Sequence, residues 1–96
     1  MKRIEPKQIG EIIREAIEHE GLADAIAEKR ACYEWPEVVG PGVNRYTSRR
    51  YVERGVMHVY LTSSVLKNEL SYYKSSLVEK LNRAAGKNVI TSIEFH

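Results

Sequence analysis

Arg45-Tyr46-Thr47-Ser48-Arg49-Arg50-Tyr51-Val52-Glu53, then Arg54-Gly55, then Val56-Met57-His58-Val59-Tyr60-Leu61-Thr62: the reading of this stretch decides the fold. Both runs are rich in β-branched and aromatic residues. In the second, Met57, Val59 and Leu61 alternate with Val56, His58, Tyr60 and Thr62, the period of a half-buried strand. Arg54-Gly55 predicts a two-residue hairpin turn in which glycine takes a positive φ. That loop sets Val52 opposite Met57 on the core face. Strict alternation then puts Arg45, Thr47, Arg49 and Tyr51 on one face and Tyr46, Ser48, Arg50 and Val52 on the other. Arg49 and Tyr51 come to lie beside His58 and Tyr60 on the face away from the core.

Working outward, Ser63 and Ser64 are N-cap candidates for a helix with the stripe Leu66, Leu70, Tyr73, Leu77, Leu81 and Ala84, which stops at Gly86. Of Tyr72 and Tyr73, one is expected in the core and the other exposed. A third strand follows, with Val89, Thr91, Ile93 and Phe95 alternating against Ile90, Ser92 and Glu94. Before the hairpin, Gly40-Pro41-Gly42 reads as a turn that closes a helical half. Ile9, Ile12, Ile13, Ala16 and Ile17 mark one helix from Pro6 to Gly21. The alanine-rich segment from Leu22 marks a second, with Pro36 expected to end or kink it near Trp35, although a continued turn would bury Val38 and Val39. Trp35 reads as a core plug between this helix and the sheet. The order α-α-β-β-α-β predicts an α+β domain spanning residues 1–96, with a three-stranded sheet and all helices on one face. The other face is left open or in contact with a partner.

A chain of 96 residues that is 43% apolar and 29% charged builds one core and no second domain. Lys or Arg recurs too often for a membrane span, and the N-terminus lacks the apolar run of a signal peptide. One cysteine, Cys32, makes no internal disulfide, which fits a reducing cytoplasm. The net charge of +2 conceals an asymmetry: residues 1–43 hold six Lys/Arg against nine Asp/Glu, and residues 44–96 hold nine against four. An acidic half at −3 thus precedes a basic half at +5, and the latter points to an anionic partner, nucleic acid or an acidic protein face.

No catalytic constellation is legible, and none is expected. His19, His58 and His96 lack the spacing of metal ligands, and no metal or cofactor is expected. Cys32 has no basic neighbour arranged to make a thiolate, and the glutamate pairs near Trp35 and His19 read as solvated helix faces. Gly40-Pro41-Gly42 lacks the phosphate-loop pattern. The positive signal is the mixture of Arg45, Arg49, Arg50 and Arg54 with Tyr46 and Tyr51, which suits phosphate contact and base stacking. Arginines also protect an edge strand from aggregation, and the two readings stand side by side. An exposed tyrosine with Lys67 and Lys74 would suit a protein partner.

Trp35-Pro36-Glu37-Val38-Val39-Gly40, Tyr46-Thr47, Arg54-Gly55-x-Met57-x-Val59-x-Leu61-x-Ser63-Ser64, Glu69-Leu70, Leu77, Leu81-Asn82, Gly86 and Val89-x-x-x-Ile93-x-Phe95, in this order and spacing, resemble the DciA family over roughly residues 7–95. The resemblance implies a KH-like α/β domain without a nucleotide-gripping Gly-x-x-Gly loop, and this chain has none. It implies a non-catalytic accessory of chromosome replication that binds the replicative helicase DnaB, promotes its loading on single-stranded DNA and has some DNA affinity of its own. Trp35, Gly40, Gly55 and Leu70 are, by this resemblance, fold determinants. Many relatives carry Trp where Leu66 stands, and longer ones add a flexible, often basic extension. The expectation is therefore a cytoplasmic helicase-loader-like protein. Arg45, Arg49, Arg50, Arg54, Lys67 and Lys74 would be its electrostatic contacts and Tyr51 and Tyr60 its stacking groups. The alternative is a KH-like RNA-binding module that reads unstacked bases on the open sheet face.

Overall fold

The computed structural model describes residues 9–11, 14 and 21–96. The first expected helix, from Pro6 to Gly21, falls largely outside them; 9–11 and 14 have helical backbone. Helix α1 (Leu22–Val39) begins after Gly21, whose φ of 73° is left-handed. It does not end near Trp35 but runs through Pro36. Proline has no N–H to give the carbonyl four residues back, here that of Cys32. This carbonyl is served from the sheet instead, by Arg50 Nε at 2.6 Å. With the helix so continued, Val38 and Val39 pack against the core.

Gly40-Pro41-Gly42 is more than a turn. Gly40 takes φ 85° and ψ 166°, and Pro41 opens the single-turn helix α2 (Pro41–Asn44) from the first-turn position that suits its missing N–H.

Strands β1 (Thr47–Glu53) and β2 (Val56–Leu61) form the expected antiparallel hairpin, with Val52 opposite Met57. Arg54 (φ 52°) and Gly55 (φ 82°) are both left-handed, the pairing of a turn that follows the twist of the strands. Alternation along β1 is not strict. Thr47 pairs with Leu61 and Arg49 with Tyr60, so Ser48 is an extra residue and the register shifts across it. The bulge turns Thr47 inward, away from the face of Arg49, where its Oγ1 accepts from Trp35 Nε1 at 3.1 Å.

Ser63 caps the next helix, its hydroxyl accepting from Leu66 N–H at 3.2 Å. The helix expected as one piece is three: α3 (Ser64–Leu70), a 3₁₀ turn (Ser71–Tyr73) and α4 (Lys74–Ala85). The tighter turn, in which Ser71 Oγ donates to the Asn68 carbonyl at 2.6 Å, resets the helical phase. Tyr73 is consequently outside the stripe: Leu77, Leu81 and Ala85 are buried, whereas Tyr72 and Tyr73 are both exposed.

Strand β3 (Ser92–Phe95) runs parallel to β2 and completes a sheet of order β1-β2-β3. It starts later than the alternation from Val89 predicts. Asn82 explains the delay: its Oδ1 accepts from Val89 N–H at 3.0 Å and Ile90 N–H at 2.7 Å, and its Nδ2 donates to the Ile90 carbonyl at 2.9 Å. Side-chain bonds thus satisfy backbone that a ladder would otherwise have used, and Val89 and Ile90 are both buried.

The core lies between the helices and one sheet face. Trp35, Met57, Val59, Leu81 and Ile93 are fully buried, each stabilising the fold by roughly 1.5–3 kcal/mol relative to exposure. Ala27 and Ala31 allow α1 to approach α4 closely, and Asp24 pairs with Lys87 across the helix ends.

Candidate binding surface

The register that buries Met57, Val59 and Ile93 and packs Phe95 against them turns the intervening residues outward. On β1 these are Arg49 and Tyr51, on β2 His58 and Tyr60, and on β3 Glu94, followed by His96. Tyr51 pairs with His58, Arg49 with Tyr60, and His58 with Glu94. His96 continues the ladder: its N–H donates to the Val59 carbonyl and its carbonyl accepts from Leu61 N–H, both at 2.9 Å.

The outward rings form a continuous stack. Centroid separations are 4.8 Å for Tyr51–His58, 6.3 Å for Tyr51–Tyr60, 5.2 Å for His58–His96 and 4.6 Å for Tyr60–His96, all with interplanar angles of 25° or less. The Arg49 guanidinium lies 4.9 Å from the centre of Tyr51 and 5.7 Å from that of Tyr60, within cation–π range. Hydrogen bonding with Tyr60 raises the Tyr51 hydroxyl above the usual phenol range. The surface is thus an aromatic shelf with one guanidinium over it, and none of the described helices belongs to it.

The structure separates the residues that the sequence groups as contacts. Arg49, Tyr51 and Tyr60 meet on the open face. Arg50 points to the helices and serves the Cys32 carbonyl. Arg45 follows α2, and Arg54 sits in the hairpin turn; both are exposed. Lys67 and Lys74 are carried by α3 and α4, not by the sheet. Of the residues expected to shape the fold, Trp35 is wholly buried and Leu70 packs against the core. A Cβ on Gly55 would lie 3.1 Å from Thr91 Oγ1, on a backbone already left-handed. Gly40 also needs its positive φ.

The sequence reading singled out neither His96 nor Glu94 as part of a site. Both project from the β3 face that carries Ser92, and the alternation of Ile93 and Phe95 is the signal that locates them. Their neighbour His58 comes from 36 and 38 residues earlier, a distance that spacing does not bridge.

Among the described residues the protein is a small α+β domain with helices on one side of a mixed sheet and an aromatic face under one guanidinium on the other. The family model described as Dna[CI] antecedent, DciA, matches residues 8–95, and the chain belongs to that family. It is 26% identical over 90 residues to a UPF0232 protein of Mycobacterium ulcerans, and equally to one of Mycobacterium marinum. Each alignment takes in 94% of this chain and 48% of the relative, so the chain spans about half the length of the curated relatives it matches.

Proposed function

We propose that this protein is a non-catalytic accessory of DNA replication that acts in the cytoplasm, engages a DnaB-type replicative helicase and holds single-stranded DNA on its open sheet face. Family membership supports the helicase role. One observation supports the nucleic-acid role: Arg49 lies over two stacked tyrosines on a sheet face that no described helix covers. Successive unpaired bases stack on such rings irrespective of sequence, and a guanidinium among them meets phosphate. Among the described residues no helix is long and apolar enough to cross a membrane.

Fluorescence anisotropy with a labelled oligothymidylate tests the face. Tyr51→Ala and Tyr60→Ala should each weaken binding from about fivefold to a hundredfold, and Arg49→Ala should lower the salt slope by about 0.7. Undetectable binding at low salt, or variants that bind as the parent does, would overturn this role of the face. Preference for RNA over DNA of the same sequence would move the reading to an RNA-binding module. Co-purification with the replicative helicase of the same organism tests the other arm, which lack of a complex at micromolar concentrations would remove.

A further inference from the structure

His58, Glu94 and His96 form a cluster whose chemistry the stacking shelf does not use. Their ligating atoms all lie within 4.8 Å of one another. His58 Nδ1 is 2.9 Å from His96 Nε2 and 3.6 Å from Glu94 Oε2, which is 4.0 Å from His96 Nε2. A tetrahedral ion bound at about 2.0–2.2 Å by imidazole nitrogen and carboxylate oxygen holds its donors about 3.3–3.6 Å apart. The observed separations of 2.9, 3.6 and 4.0 Å bracket that range.

We propose that His58, Glu94 and His96 bind a divalent transition-metal ion of the zinc type, with at least one coordination position left to solvent. Two imidazoles and one carboxylate form a donor set of intermediate softness, which favours Zn²⁺ over Mg²⁺ or Ca²⁺. The scaffold is rigid where it needs to be. His58 and Glu94 are register partners on adjacent strands, and His96 lies two residues further along the same face, held by its two backbone bonds to β2. The rings are positioned as well, Tyr51 stacking on His58 and Tyr60 on His96. The 2.9 Å separation is that of one hydrogen bond between the facing ring nitrogens; with the proton of each neutral ring on its other nitrogen, both facing lone pairs are free for an ion. The nearby cation on this face, Arg49, lies over the tyrosine rings. The proposal does not rest on nucleic-acid binding.

Calorimetric titration of the tag-free full chain with ZnCl₂ tests it, with the visible absorption of a CoCl₂ complex as a second readout. One equivalent of Zn²⁺ should bind, and Co²⁺ should give the ligand-field bands of a low-coordinate site. His58→Ala, Glu94→Gln and His96→Ala should each weaken Zn²⁺ binding by at least tenfold, while His19→Ala leaves it unchanged. Circular dichroism separates loss of the site from loss of the fold. No saturable Zn²⁺ binding up to 1 mM, or binding that survives in the His58→Ala/His96→Ala double variant, would overturn the assignment.

Discussion

Replacing Arg50 by alanine tests how helix α1 survives its internal proline. In the native fold Arg50 Nε donates to the Cys32 carbonyl at 2.6 Å, the acceptor that Pro36 leaves without its helical donor. A hydrogen bond from a charged donor contributes about 1.5–3 kcal/mol, and loss of the donor also leaves a partly buried carbonyl to find water. For a domain of this size each kcal/mol is worth about 4–8 °C in Tm. Arg50→Ala should therefore lower Tm by roughly 6–24 °C. The mechanism makes a second demand. Pro36→Ala restores an N–H at the helical position, so the Cys32 carbonyl gains a partner within α1 and needs Arg50 less. Chemical denaturation of the four proteins of the double-mutant cycle should show Arg50→Ala costing at least about 1 kcal/mol less in the Pro36→Ala background. Equal cost in both backgrounds would refute the link between the proline and the arginine. No cost in either would show that Arg50 is not a fold residue.

Two further outcomes follow from the packing. Asn82→Ala removes three hydrogen bonds that hold Val89 and Ile90, and at about 1 kcal/mol each should cost roughly 2–4 kcal/mol in urea denaturation, whereas Asn82→Asp, which keeps the acceptor, should cost less. Desolvation pushes the Cys32 thiol up, with the Arg50 guanidinium opposing it, so the folded state holds the thiol proton more tightly than the unfolded chain. This contribution to stability is fully present below the ordinary thiol range and is lost as pH rises through the raised value. Alkylation by iodoacetamide at pH 8.5 should accordingly be slower in the native protein than in urea, and equal rates would contradict the burial.

The hairpin and the sheet were legible because β2 alternates without interruption and Arg54-Gly55 permits only a narrow class of turn. Once Val52 faces Met57, the outward set of Tyr51, His58 and Tyr60 follows from period alone. Three features escaped, two of them because non-local bonds override local preference. Pro36 reads as a stop, and nothing near it reveals that an arginine on a later strand replaces the missing bond. The Ser48 bulge breaks alternation at a residue of no special propensity, because Trp35 Nε1 takes Thr47 as its partner. The 3₁₀ turn at Ser71–Tyr73 sits within a stripe that continues in the sequence but not in space.

Charge pointed to a half of the chain and not to a face. Of the nine basic residues after Asn44, Arg50 serves the Cys32 carbonyl, Arg83 pairs with Glu79 and Lys87 with Asp24. On the shelf itself Arg49 stands against Glu94, so the proposed binding there would depend more on ring area than on net positive potential. Counterion release scales with the phosphates neutralised, at about 0.7 per phosphate for a single strand. If Arg49 is joined only by Arg45 and Arg54 from the ends of β1, the logarithmic salt slope is about −0.7 to −2. A steeper dependence would bring the helix-borne lysines into the contact and so move the DNA off the sheet, because Lys67 and Lys74 are not carried by it.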